Sequence, residues 1–175
     1  LAKDKIFVIS NECINKIFSI VLKKNTSKLF DYIMEQINIV FPLFMNCYRW
    51  PIDILSIACL SKNIEPAKKI TDSIHEKNPT EDFTEPFARA AQSKVSELCH
   101  LFIDKKVKIN YLNLALNFTE IASTNNEIFF LMIEHSNENV KSIFYKNLLI
   151  PAIKVCNSEL VETILKKVPA TKQSL

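Results

Sequence analysis

The sequence predicts an all-α fold of stacked helical hairpins, and three observations carry that expectation. Four stretches superimpose on one another at a spacing of 31 to 32 residues, with a fifth, looser copy ahead of them. Self-similarity at such a period marks a repeat whose units bury their apolar faces against their neighbours. The 175 residues contain no glycine, whereas β-rich folds and phosphate-cradling loops need backbone positions that glycine fills at least cost. Its absence also removes the P-loop and dinucleotide fingerprints, both of which are defined by glycines. Within each copy, apolar residues recur at i, i+3 and i+4, the spacing of one helix face.

Taken in order, the expected repeats cover roughly residues 14–36, 51–78, 84–110, 115–140 and 146–168, within a single domain spanning 1–175. Phe18, Val21 and Leu22, then Leu29, Tyr32 and Ile33, form the loose first pair, 37 residues ahead of Leu55. The segment 37–50 does not fit the period; Ile39, Val40, Phe41, Leu43, Phe44, Tyr48 and Trp50 make it too apolar for a disordered loop. It is expected to be an extra helical element with a turn. Leu55, Ala58 and Cys59, then Ala67 and Ile70, form the second pair.

The third copy is the clearest. Pro86 stands at a helix start, where its missing N–H costs nothing. Phe87, Ala90 and Ala91 share one face, and small Ala90 and Ala91 allow close approach of the partner helix carrying Leu98, Leu101 and Phe102. The two helices break at Ser93-Lys94-Val95, and Lys105–Asn110 reads as an extended linker. Phe118, Ile121 and Ala122, then Ile128, Leu131, Met132 and Ile133, repeat the pattern. Leu149, Ala152 and Ile153, then Leu160, Ile164 and Leu165, complete it. Asn25, Asn63, Asn125 or Asn126, and Asn157 fall at the hairpin turns. With glycine absent, asparagine is expected to supply the left-handed residue that closes the first helix.

These residues resemble the ankyrin repeat. Pro86-Phe87 matches the family's proline-leucine step, Ala90-Ala91 its paired alanines, and Glu97 its acidic position, repeated as Glu65, Glu127 and Glu159. Leu101-Phe102-Ile103 matches the leucine run and Ile109-Asn110 the closing valine-asparagine. The family's threonine is replaced by Glu85, its histidine by Ala88, and all its glycines are missing. The resemblance implies an ankyrin-like solenoid of about five helix pairs. It also implies a concave face, made by the linkers and first helices, that binds another protein. Of the side chains placed there, Arg49, Trp50, Arg89, Gln92, Ser93, Tyr111, Glu120, Ser123, Thr124 and Lys154 are the expected partner contacts, because Arg, Trp and Tyr dominate interface hot spots.

Composition limits other functions. A net charge of +3 with lysines spread along the chain leaves no dense basic run, and Lys23, Lys24, Arg89 and Lys154 are interleaved with Glu120, so nucleic acid is not the expected partner. His75, His100 and His135 form no i, i+4 pair, and adjacent Cys99-His100 would point to different helix faces, so no metal is expected. No cofactor and no catalytic residue is expected either. The longest apolar stretch, 37–45, is far short of a membrane span of about 20 residues. Five cysteines, odd in number and without a CxxC pair, point to a reducing intracellular compartment. The initial Leu suggests a piece excised from a longer chain, and a monomer is favoured. Richness in Lys, Asn and Ile suggests an AT-rich genome, so a secreted effector acting on host proteins is one setting. The alternative is a substrate-recruiting domain of a larger multidomain enzyme.

Overall fold

Helices supply every regular element among the residues described by the computed structural model, which are 11–24, 27–40, 50–117 and 125–167. Ten occur in this set: α1 (Asn11–Lys23), α2 (Ser27–Val40), α3 (Trp50–Leu60), α4 (Ile64–Lys77), α5 (Thr84–Ser93), α6 (Ser96–Asp104), α7 (Tyr111–Asn117), α8 (Asn126–Glu134), α9 (Glu138–Lys154) and α10 (Ser158–Lys167). Consecutive helices pack as hairpins in α1/α2, α3/α4, α5/α6 and α9/α10. The odd-numbered helices pack in succession, α1 on α3, α3 on α5, α5 on α7 and α7 on α9. Helices α4, α6 and α8 pack in succession beside them.

The apolar spacing explains that order. Leu55, Ala58 and Cys59 on α3 and Phe87, Ala90 and Ala91 on α5 are all fully buried. Both helices lie between two other odd-numbered helices and also touch their hairpin partners, so a wide arc of each must be apolar. Phe102 of α6 lies between Phe83 and Phe87 with ring centroids 5.9 and 6.3 Å away, and Tyr111 of α7 meets Phe87 edge-on at 6.3 Å. Each buried phenylalanine contributes about 1.5–3 kcal/mol through apolar burial. Phe18 and Phe30 join α1 to α2 in the same edge-to-face manner at 5.8 Å.

The hairpin turns correct the expectation for asparagine. The left-handed residues are Lys62, Lys94 and Cys156, with φ of 62°, 60° and 55°, and Lys106, with φ of 53°, closes α6. At Lys62 the chain makes the paired bonds of a helix stop, Lys62 N–H to Cys59 O at 3.1 Å and Asn63 N–H to Ala58 O at 3.0 Å. Cys156 and Asn157 repeat this on Ile153 O and Ala152 O, both at 3.0 Å. The asparagine therefore stands one residue beyond the left-handed position, at the start of the second helix. There its side chain can accept from an otherwise unpaired helix N–H, a contribution of about 1 kcal/mol. Asn125 accepts from Ile128 N–H at 3.3 Å and Asn157 from Leu160 N–H at 3.2 Å. Asn25 falls outside the described residues.

Asn63 does something different. It occupies the N-cap of α4 without capping it; instead its buried amide donates to Leu22 O at 2.9 Å, tying the second hairpin to the end of α1. The recurrent glutamates also find a physical reason. Glu65, Glu97, Glu127 and Glu159 all sit in the first turn of a second helix, where a carboxylate offsets the positive end of the helix dipole.

Linkers are joined too. Phe83 N–H donates to Lys108 O at 2.9 Å, and Asp82 and Lys108 form an isolated parallel bridge. Thr84 donates its hydroxyl to Asp82 Oδ1 at 2.5 Å and accepts from Asn110 N–H at 2.7 Å. A threonine one residue ahead of Glu85 thus ties two linkers together. Lys69 of α4 pairs with Asp31 of α2 at 2.7 Å, and Lys105 pairs with Asp72 of α4.

Several boundaries differ from those expected, and α1 starts at Asn11 ahead of 14 and α7 at Tyr111 ahead of 115. Residues 37–40 continue α2 and Trp50 begins α3, so neither end of the segment 37–50 is a separate helix; 41–49 lie outside the described residues. Phe118, Ile121 and Ala122 of the fourth copy also lie outside them. Helix α9 begins at Glu138, well ahead of 146, because Asn137 caps it by accepting from Val140 N–H at 3.0 Å. Further along α9, Asn147 joins it to α7, its amide donating to Ala115 O at 3.1 Å.

Two stability outcomes follow from the turns. Asn63→Ala leaves the Leu22 carbonyl unpaired in a buried setting and is expected to cost about 1–3 kcal/mol. Denaturant melts check the cost, and hydrogen exchange should show α1 loosening first. Lys94→Gly relieves left-handed strain of about 1–2 kcal/mol against a smaller entropic loss, for a net gain of about 0.5–1 kcal/mol. An unchanged denaturation midpoint would contradict that account, since Lys94 is exposed and loses no packing.

Candidate functional site

The expected partner contacts fall into three groups. Arg49, Glu120, Ser123 and Thr124 lie outside the described residues. Trp50 is the first residue of α3. Arg89, Gln92, Ser93, Tyr111 and Lys154 are placed in full, on α5, α7 and α9.

Helix α5 brings two of them together. Arg89 Nη1 donates to Gln92 Oε1 at 3.1 Å, while Arg89 Nη2 lies 3.6 Å from Glu85 Oε1 one turn earlier. Because α5 begins at Thr84, Glu85 belongs to the helix and stands four residues before Arg89, the spacing at which side chains meet. The Arg89 side chain is about two-fifths exposed, with its guanidinium held between an amide and a carboxylate. Such a group offers further N–H donors in a fixed fork, suited to a carboxylate or a backbone carbonyl on a partner. Glu85 was legible only as an acidic residue ahead of the helix; its role needed the helix start, which Pro86 obscured.

Two expected contacts are engaged within the chain itself. Ser93 is buried, with its hydroxyl donating to Ala90 O at 2.7 Å. A polar side chain at a buried helix end satisfies a free carbonyl and is unavailable to a partner. Tyr111 is half-buried against Phe87, and burial first, then the Cys99 thiol, pushes its hydroxyl up to about 12. Its ring is chiefly a packing element. Lys154 is exposed at the end of α9.

Register relates the exposed positions. Counting back two residues from the left-handed Lys62, Lys94 and Cys156 reaches Leu60, Gln92 and Lys154, and all three are exposed. Counting back four reaches Ala58, Ala90 and Ala152, and all three are fully buried. The stack thus repeats its buried alanine while varying the chemistry of its exposed side chain from aliphatic to amide to ammonium.

Chemistry elsewhere is sparse. Cys59 and Cys99 are free and buried, Cys156 free and exposed. Burial, and then Cys99, raises the Cys59 thiol far beyond its ordinary range, and burial, then the Glu127 carboxylate, pushes Cys99 up to about 12. Thiols held protonated are poor nucleophiles. His100 Nε2 lies 4.0 Å from Glu127 Oε1, joining α6 to α8. Among the described residues no three His, Cys, Asp or Glu side chains gather as a metal site, and no helix is long and apolar enough to cross a membrane.

The raised values fix the sign of an alkaline response. Protonated Cys and Tyr are neutral, with unfolded values of about 8.5 and about 10. Below those values folded and unfolded chains hold the same protons and the stabilising contribution is complete. Above them the unfolded chain sheds protons that the folded chain keeps, so stability falls until the folded groups ionise near 12. Tyr111→Phe is expected to flatten the decline in melting temperature above about pH 10, and a parallel decline in both proteins would contradict the assignment. In thiol labelling at neutral pH, Cys156→Ser should remove one fast-reacting group and Cys99→Ala none.

Comparison with protein-family models, with curated proteins and with solved structures finds no match to this chain.

Proposed function

We propose that this chain is a protein–protein interaction module, an ankyrin-like solenoid that binds a partner protein through the face carrying the exposed positions of its first helices. The observation that carries this reading is the contrast at equivalent register: alanine at Ala58, Ala90 and Ala152, fully buried, beside Leu60, Gln92 and Lys154, exposed and chemically different. Uniform buried positions maintain a stack, and varied exposed ones give a surface specific for one partner. The successive packing of α1, α3, α5, α7 and α9 supports the same reading, because it sets α3, α5 and α9, which carry those side chains, in one stack. Arg89, restrained by Glu85 and Gln92, is the anchor of this face. A restrained arginine loses less conformational freedom on binding than a free one. Unpaired thiols at Cys59, Cys99 and Cys156 support a reducing compartment as the setting.

Affinity capture with the intact chain beside an Arg89→Glu variant tests this. Charge reversal at a hot spot is expected to weaken capture of specific partners by about thirtyfold or more, as loss of about 2 kcal/mol implies. Circular dichroism should be unchanged, since Arg89 is part-exposed. Equal recovery of the same partners by both proteins would remove the α5 face from the reading.

A further inference from the structure

Hydrogen bonds place four of the first helices on one register. Ser61 N–H donates to Ile57 O at 2.9 Å where α3 ends, and Lys24 N–H to Ile20 O at 3.1 Å where α1 ends. Phe87 N–H donates to Phe83 O at 3.0 Å as α5 begins, and Leu114 N–H to Asn110 O at 3.1 Å as α7 begins. With α3 and α5 matched through Lys62 and Lys94, Ile20, Ile57, Arg89 and Leu116 become counterparts on α1, α3, α5 and α7. Leu60 on α3 and Leu112 on α7 lie one turn to either side of that position.

These helices pack in succession, about 8–10 Å apart, so the counterparts form one row across the stack. Ile20 is 58% exposed, Leu116 56%, Leu60 47% and Leu112 42%, and Ile57 and Arg89 are partly exposed. Helices α3, α5 and α7 each have a neighbouring first helix on both sides. Their part of the row therefore faces away from the stack and does not lie at either end of it.

Charge around the row is uneven. Arg89 interrupts it, and Lys24, Lys62 and Lys94 stand exposed at the turn end of the same helices. Against them stand Asp53 and Glu85, the latter beside Arg89 at 3.6 Å. An aliphatic row with a cationic rim suits a segment that is both aliphatic and acidic. The residues outside the described set supply no such segment, since they carry Asp4 and Glu120 against Lys3, Lys5, Arg49 and Lys172. A second copy, at net charge +3, brings like charge. Nucleic acid would match the rim but not the row, which offers aliphatic side chains where bases need aromatic platforms.

Taking this face as the protein-binding one, we propose that the partner presents a segment in which an aspartate or glutamate stands between aliphatic residues. Arg89 holds the carboxylate, and Ile57, Leu60 and Leu116 hold the aliphatic side chains.

Panning a displayed library of random dodecapeptides against the intact chain tests this, with each enriched peptide then synthesised and titrated. The expected peptides carry Asp or Glu flanked by Leu, Ile or Val. Arg89→Gln should weaken their binding by about tenfold or more, the loss of a charge-assisted hydrogen bond. Leu116→Ser should weaken it by about tenfold, the loss of one buried aliphatic side chain. Circular dichroism verifies folding. On the peptide side, replacing the acid by Lys should abolish binding to the unaltered chain and restore it to Arg89→Glu. Peptides that lack a carboxylate or ignore Arg89→Gln, yet are weakened by Leu116→Ser, overturn the proposal and leave the face as the binding site. Peptides indifferent to both substitutions remove the face as well. Absence of any enriched peptide, or displacement of the peptides by an oligothymidylate, also overturns the proposal.

Discussion

Close approach between the two helices of a hairpin is the constraint on which the remaining structure depends. Ala58, Ala90 and Ala152 occupy the same register and are fully buried, because the first helix of each hairpin must meet its partner helix and a neighbouring first helix at once. A larger side chain there would push the second helix outward, at a cost of about 1–3 kcal/mol. With the alanines in place, Leu55, Phe87, Phe102 and Leu160 fill the space to either side, and all are fully buried. Packing at near-crystalline density then propagates from hairpin to hairpin, since each unit completes the core of the one before it.

The turns must serve that geometry without glycine. A left-handed residue is required to stop the first helix and reverse the chain within a few residues. Here lysine and cysteine occupy that position at Lys62, Lys94 and Cys156. The steric cost is local and modest, and the bonds made on either side of the left-handed residue offset it. The following residue opens the second helix. Asn125 and Asn157 use their side chains to cap, whereas Asn63 reaches across to Leu22 O. One residue type at one register position thus performs two tasks, and the choice depends on which acceptor the neighbouring hairpin presents.

Polar contacts between hairpins gather near these turns. Asn157 donates to Asn126 Oδ1 and Asn126 to Glu159 Oε2, both at 2.6 Å, linking α8 and α10. Glu127 faces His100. Exposed pairs of this kind add little stability singly. They direct which helix ends lie side by side, and the apolar core then supplies the energy. Arg89 on α5 shows the same economy, because the residues that restrain it, Glu85 and Gln92, are also ordinary surface residues of its own helix.

Much of this was legible in the residues. Period, the absence of glycine and the i, i+3, i+4 spacing determined that the described residues are helical, where α3 to α6 begin and end to within a few residues, and that Phe18, Ala58, Phe87, Ala90, Ala91, Phe102 and Ala152 lie inside. These properties are local, or repeat within one chain, so they survive in one dimension. The left-handed residue was misplaced by one position at Asn63 and Asn157 because steric preference favours Asn, and only the closed hairpin shows those side chains engaged elsewhere, Asn157 on Leu160 N–H and Asn63 on Leu22 O. Ser93 was expected on the surface and is buried, since the helix end that needs its hydroxyl is visible only once α5 packs on α3. The exposure of Ile20, Leu112 and Leu116 was hidden for the same reason: burial depends on which neighbour covers a face. That is decided by three-dimensional order, whereas the apolar pattern shows only that a face can be covered.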